Sequence, residues 1–347
     1  LLGYAADRLL GDPRHFHPVA GFGRIAMALE AHTHAPSRVR GVVHVGALVG
    51  GATAAGMLAD HLAGRVGDPG MGRDVGRVAI TAVATWAVLG GRSLEREALT
   101  IQRQLAAGDL DAARRQVRNL VGRDPSRLSA DEVARATVES VAENGADALV
   151  APLWWGAVAG VPGLVAYRAI NTLDAMIGHR SPRYREFGWA AARLDDVANW
   201  IPARLTVLST AAATGSVAGV RRVLMTVARD APAHPSLNAG PVEAAFAAAL
   251  GVSLGGSNSY AGVVEDRGRL GDGPAVTVDD LGSAVRLERR IGLIALGVIV
   301  AARRAAARRV VSRRLVSARR FPTVRRGVHD RVGLPGVADD RRDERSK

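Results

Sequence analysis

The sequence predicts an all-α, polytopic integral membrane protein with amphipathic helices outside the bilayer and one re-entrant or broken apolar segment. Three observations predict it. The chain of 347 residues is 48% hydrophobic but only 4% aromatic, with its apolar content mostly in Ala, Val, Leu and Gly. Small residues of that kind let helix backbones approach closely inside a membrane. Gly41–Ala59 is 19 residues long and carries no charge, only His44. At about 1.5 Å per residue it is long enough to cross roughly 30 Å of hydrocarbon. Finally, a mean hydropathy of +0.07 is too low for a chain that is all membrane, so spans must alternate with polar segments.

The elements follow in order. Leu1–Leu10 is apolar but holds Asp7 and Arg8 and lacks a basic leader and a small-residue cleavage site, so it does not read as a signal peptide. Gly41–Ala59 is a span flanked by Arg38, Arg40 and Asp60, and Val78–Gly91, bracketed by Arg77 and Arg92, is a second, shorter one. Ser93–Gly145 changes character: charged residues alternate with Leu94, Ala98, Ile101 and Leu105 at helical spacing, which predicts two or three amphipathic helices. Ser129 with Glu132 predicts a capping box. Residues 148–167 are uncharged but interrupted by Pro152, Gly156, Gly160, Pro162 and Gly163, and broken apolar segments line sites in membrane proteins. Ile201–Val220, Pro241–Leu254 and Arg290–Ala302 are further apolar candidates. The expected organisation is a membrane-embedded domain over 1–296, a basic flank over 297–326 that touches anionic lipid, and a disordered end over 327–347. The alternative is a soluble helical protein that buries its apolar helices in a large core.

Composition excludes several classes. Without cysteine there is no disulfide, no Cys-ligated zinc and no thiol nucleophile. The net charge of +13 comes almost entirely from Arg, with Lys347 the one lysine. No nucleic-acid partner is expected, because groove-reading or aromatic stacking elements are missing; the charge fits the cytoplasmic flanks of membrane helices and Arg sites for phosphate. Neither a Walker A pattern nor a dinucleotide-binding glycine motif nor a zinc spacing occurs.

Several constellations could carry chemistry. Asp12 and His17 flank a turn-forming stretch that also holds Arg14 and His15. Glu139, Glu143 and Asp147 stand at i, i+4 and i+8, three carboxylates on one helical face. They repel one another there, and a divalent cation would remove the conflict. Asn171 and Asp174, then Asp195, Asp196 and Asn199, form two acid–amide groups at the edges of apolar segments, with Arg168 and Arg204 nearby. Asn238 lies where a helix opens at Pro241, and Leu254–Gly262 is a glycine-rich loop suited to phosphate. A solvated acidic face, a helix cap or a plain turn would explain any one of these alone.

Taken in order, these segments resemble the adenosylcobinamide-phosphate synthase family, called CobD or CbiB. The matching pieces are Gly11-Asp12-Pro13 with His17-Pro18-Val19, Gly122-Arg123-Asp124, Glu139-Ser140 and Glu143-Asn144 with Asp147, and Tyr167-Arg168-Ala169-Ile170-Asn171-Thr172-Leu173-Asp174. Phe187-Gly188, Asp195-Asp196 with Asn199, Pro202-Ala203-Arg204-Leu205, and Ser236 with Asn238-Ala239-Gly240-Pro241 continue the match. It covers roughly Leu1 to Leu296. The resemblance implies a multi-pass cell-membrane enzyme of cobalamin biosynthesis. Such an enzyme is an ATP- and Mg²⁺-dependent ligase that joins aminopropanol, or its phosphate, to a corrin propionate of adenosylcobyric acid. Candidate partners are the corrinoid and the amine, membrane lipid, and other membrane-associated cobalamin enzymes. The expected metal ligands are drawn from Glu139, Glu143, Asp147, Asn171, Asp174, Asp195, Asp196 and Asn199, too many for one ion. Arg123, Arg168, Arg204 and Asn238 are expected at substrate or phosphate, and Asp12 or His17 as the base. Intramembrane Mg²⁺-dependent prenyltransferases also carry Asn/Asp clusters on helices and remain an alternative, as does a non-enzymatic corrinoid transporter.

One topological expectation follows. A full crossing by 148–167 would split the acidic groups across the membrane, so this segment is expected to re-enter or line a cavity.

Overall fold

The computed structural model describes residues 1–12, 17–66, 71–122, 124–179, 181–260 and 263–320, with the side chains of 257–260, 263–265, 307 and 310–320 left aside. The described residues are 79% helical. The chain divides into a compact unit, Leu1–Arg303, and a second unit, Arg304–Lys347, whose described part is helical. The segment expected to be disordered, 327–347, lies outside the described residues.

Helices α1 (Leu2–Leu10), α2 (Pro18–Thr33), α3 (Arg38–Ala63) and α4 (Met71–Val88) come first. His17 caps α2 by accepting the Val19 amide, with Pro18 at the first helical position where its missing N–H costs nothing. The amphipathic region resolves into three helices: α5 (Gly91–Ala106), α6 (Leu110–Val117, capped by Asp109) and α7 (Ala130–Gly145). The capping box of Ser129 and Glu132 opens α7 with both reciprocal hydrogen bonds formed. Then come α8 (Ala151–Leu173), α9 (Trp189–Ala213), α10 (Val217–Asp230), α11 (Ala239–Leu250) and α12 (Val278–Arg320).

The all-α expectation holds, with one small β-hairpin beside the helices. Leu254–Tyr260 and Val263–Leu270 are strands β1 and β2 of an antiparallel hairpin, bulged between Gly255 and Ser257. The glycine-rich stretch read as a loop is therefore mostly a strand. Glycines at 255 and 256 take positive φ, which helical periodicity cannot announce.

The main core joins α5, α6, α7, α11 and the start of α12 through Ile101, Val133, Val141, Phe246 and Leu281. A second cluster ties α2, α3, the end of α8 and the start of α9 through Ala26, Val45, Leu173 and Ala191, with Phe187 between the last two helices. Long apolar residues stay outside: Val42, Val43, Met57 and Leu58 on α3, Val75, Val78 and Val83 on α4, and Val158 on α8 are exposed. By length and composition α3 and the continuous helical stretch Ala130–Gly178 are apolar enough to cross a membrane.

That second stretch is not a rod. Gly160 has φ 64° and ψ −148°, a conformation favouring glycine, and Pro162 follows it. The chain reverses there. A Cβ at Gly163 would stand 2.4 Å from the Trp155 carbonyl oxygen, eight residues back. The Tyr167 hydroxyl donates to the Asp147 carbonyl at 3.0 Å, twenty residues back. On a straight helix those residues would lie about 30 Å apart. The apolar segment is broken, as expected: α8 is a helical hairpin with two short arms.

Candidate active site

Each arm of the α8 hairpin ends in a π-helical turn, Ala146–Val150 before it and Asp174–Gly178 after it. Both turns carry an aspartate, Asp147 and Asp174. Single π-turns recur at functional sites because the widened turn redirects a side chain and frees a carbonyl. The fold-back brings the two ends together, so Asn171 donates to Asp147 Oδ2 at 3.2 Å across 24 residues. Helix α9 completes the group: Asn199 donates to Asp195 Oδ2 at 2.9 Å and its own Oδ1 accepts the Tyr167 hydroxyl at 2.8 Å.

The result is a set of carboxylates from three elements. Asp147 has Asp195, Glu143 and Asp174 as charged neighbours. Burial, with the carboxylates of Asp196 and Glu143, pushes Asp195 up to about 6 despite its amide partners. Asp195 Oδ1 is buried and has no hydrogen-bond partner. Arg168 reaches Asn171 Oδ1 at 3.5 Å, and its Nε is likewise buried and unpartnered. Hard oxygen donors that repel one another in a buried place fit a hard divalent cation such as Mg²⁺ in chemistry. They do not converge on it: among the described residues no three carboxylate or imidazole groups stand close enough to share one ion.

The other residues expected here stand as follows. Glu139 accepts the Gly255 amide at 2.9 Å and lies 3.8 Å from Arg135, so it anchors the β-hairpin. Asp196 sits at the outer edge, paired with Arg193 at 3.0 Å. Arg204 donates to Asn238 Oδ1 at 2.8 Å and lies over the Trp200 ring, while Asn238 donates to the Asp196 carbonyl. These two form a brace between α9 and α11 at the rim. Asp12 and His17 are 3.8 Å apart; with Nδ1 accepting the Val19 amide, neutral His17 turns Nε2–H toward Asp12. Arg123 lies outside the described residues.

The CobD/Cbib protein family matches residues 1–288, the stretch that holds every carboxylate of this cluster. The chain belongs to that family. It is similar to the cobalamin biosynthesis protein CobD of Mycobacterium tuberculosis (strain CDC 1551 / Oshkosh), 49% identical over 88% of this chain and 95% of the relative. It is also similar to the proteins of that name from Chromobacterium violaceum, 44% identical over 82% of this chain and 89% of the relative, and from Rhodobacter capsulatus, 44% over 84% and 94%. No solved structure matches it.

Several residues of this CobD/Cbib chain escaped the sequence reading. Tyr167, which opens the resembling run Tyr167–Asp174 but was given no role, is buried and ties both arms to α9. Arg267 on β2 stands 3.6 Å from the buried Glu243 and is the charged neighbour of Glu143. Nothing local in the sequence links a strand residue to a helix 124 positions earlier.

Behind α7 lies a second buried charge network. Glu95 receives Arg8, Arg92 and Arg289. Asp7 and Glu288 are buried with no hydrogen-bond partner for either carboxyl, and Glu288 packs against Gly145. Burial pushes Asp7 up to about 6 and Glu288 up to about 7, the nearby Arg8 working against it in both. Both groups therefore bind their protons more tightly folded than unfolded. The stability this gives is complete below about pH 4 and is lost as pH rises through 6 and 7. The thermal midpoint of the protein is expected to fall between pH 5 and pH 8, and Glu288→Gln to flatten that slope. Equal slopes in a thermal-shift series would remove Glu288 from the account.

Proposed function

We propose that the chain is a membrane enzyme of cobalamin biosynthesis that forms an amide between a propionate carboxylate of adenosylcobyric acid and aminopropanol or its phosphate, with ATP as co-substrate and Mg²⁺ as cofactor. The observation that carries this reading is the polar site assembled from Asp147, Asn171, Asp174, Asp195 and Asn199, in a chain whose relatives are named for cobalamin biosynthesis.

A carboxylate does not condense with an amine unless its oxygen becomes a leaving group. The most direct route transfers the γ-phosphoryl group of ATP to the propionate oxygen, releasing ADP. The amine nitrogen then attacks the acyl carbon, inorganic phosphate leaves, and the amine gives up a proton. Mg²⁺ would supply charge neutralisation for the phosphate oxygens, held by one or two of the carboxylates Asp147, Asp174 and Asp195 together with the phosphates themselves. Arg168 is the guanidinium best disposed for a phosphate, because its Nε is buried beside the cluster without a partner. Arg204 is already committed to Asn238 and Trp200. In the Asp12–His17 pair the hydrogen-bonding pattern favours the Asp12 carboxylate as proton acceptor, with His17 orienting it.

The membrane location rests on α3 and on the exposed apolar residues of α3, α4 and α8. The detergent-purified protein, incubated with adenosylcobyric acid, aminopropanol phosphate, ATP and Mg²⁺, is expected to raise the corrinoid mass by one amide condensation, dependent on ATP. An unchanged corrinoid with both the phosphorylated and the free amine would sink the ligase reading, and turnover of a polyprenyl pyrophosphate would replace it.

A further inference from the structure

The α8 hairpin has a base and a tip, and α3 measures the distance between them. Near its start, α3 meets the base: a Cβ at Gly41 would stand 1.9 Å from the Phe187 carbonyl oxygen, and Gly188 lies against the Ile177 carbonyl in the π-turn of Asp174. Fifteen residues on, α3 meets the tip: a Cβ at Gly56 would stand 2.9 Å from Pro162 Cα. The tip is therefore about 22 Å along α3 from the level of the carboxylates. Helix α4 marks the same base level at its end, where the Gly90 amide donates to the Ala148 carbonyl.

Charge follows this axis. The base carries Asp147, Arg168, Asp174 and Asp195, with Arg38 paired to Glu186 beside it. Between base and far end, α3 has no charged side chain, and its outward residues Val42, Val43, Met57 and Leu58 are exposed, as is Val158 near the hairpin tip. Past the tip α3 continues to Asp60 and His61, with Arg65 and Arg77 beyond, so charge returns at its far end.

Length decides what each element is able to do. Helix α3 has 26 residues, about 39 Å, and exceeds a hydrocarbon core of about 30 Å. From Asp147 to the turn at Gly160 is about 20 Å, and from the turn to Asp174 much the same. Neither arm is long enough to cross. In hydrocarbon an irregular turn is tolerated only where it packs on protein, and the Gly160–Pro162 turn packs on α3 at Gly56.

We propose that α8 is a re-entrant hairpin: it enters the acyl region of the bilayer from the side that carries the carboxylate site, turns at Gly160 beside α3, and returns to that side without crossing. The whole site then faces one aqueous compartment. The inference rests on the membrane location proposed above but not on the ligase chemistry.

The chain has no cysteine, so single cysteines report cleanly. The full-length variants Ser126→Cys, Ser181→Cys, His61→Cys and Val158→Cys would be reconstituted in vesicles of phosphatidylcholine and phosphatidylglycerol and exposed to a membrane-impermeant maleimide from either face. Positions 126 and 181 are expected to react from the same face and 61 from the other. Position 158 is expected to react from neither face, while a fluorophore placed there is quenched by lipids brominated in mid-chain. Reaction of 126 and 181 from opposite faces would mean that α8 crosses and would overturn the inference. Aqueous labelling of 158 as fast as 181, or 61 sharing the face of 181, would overturn it as well. Protein that fails to float with the vesicles would instead remove the membrane location itself.

Discussion

Asp147→Asn is expected to abolish amide formation, lowering kcat by at least 10²- to 10³-fold, the loss typical of removing a central electrostatic group. The substitution keeps the size of the side chain and a hydrogen-bonding oxygen for Asn171 while removing the charge that faces Asp174 and Asp195. Stability is expected to hold or rise, because one of several buried, mutually repelling carboxylates is gone. Activity and thermal midpoint therefore separate. If Asp147 served only to join the two arms, Asn would leave turnover nearly intact, and steady-state kinetics on the purified variant would show it. Glu139→Gln is the contrast: Glu139 receives the Gly255 amide and pins the β-hairpin, so its loss is expected to act through hairpin placement and a raised KM more than through kcat.

The second large effect is structural. Gly163→Leu is expected to prevent the two arms of α8 from closing. Its Cβ would fall 2.4 Å from the Trp155 carbonyl oxygen and 2.7 Å from the Ala159 Cβ, and backbone cannot move aside as a side-chain tip does. Overpacking in a tight core costs about 1–3 kcal/mol even when side chains yield, and here the obstacle is the arm itself. The hairpin joins Tyr167 to Asn199 and Asn171 to Asp147, so its opening takes the site apart. The expected outcome is low yield of monodisperse protein and no turnover in what remains. A variant with a wild-type elution profile and wild-type kinetics would show that the close approach at Gly163 is dispensable.

Much of this was readable in the sequence, for identifiable reasons. Gly41–Ala59 announced α3 because an uncharged run of that length has few other uses, and Ser129 with Glu132 announced the start of α7 through a local hydrogen-bond pattern. The acid–amide pairs Asn171/Asp174 and Asp195/Asn199 stood out because such groups are costly beside apolar segments, and the structure does bring Asn171, Asp195 and Asn199 to Asp147 or Tyr167. The interruptions at Gly160 and Pro162 pointed to a reversal. What the sequence concealed depends on contacts between distant elements. The stripe Glu139, Glu143, Asp147 looks continuous at helical spacing, yet Glu139 turns to the β-hairpin while Asp147 sits in a π-turn beyond it. The β-hairpin was missed because strand alternation is blurred by Gly255, Gly256 and Gly268, whose positive φ serves the bulge and turns. Arg267 with Glu143, and the Asp7–Glu288 network, join residues more than 100 positions apart, where no short-range periodicity reaches.

The paired π-turns carry an implication for chain length. Each holds one residue more than an α-helical turn, and each sits immediately beside an aspartate of the site. Deleting a single residue there, even a small one such as Ala148, would restore ordinary helical winding and remove the widened turn that redirects Asp147, while the flanking helical segments keep their phase. Asp147 would then point away from Asn171 with its own identity unchanged. A related chain could thus keep every polar residue and still lose the site through one missing codon, so spacing, and not residue type alone, marks a working member.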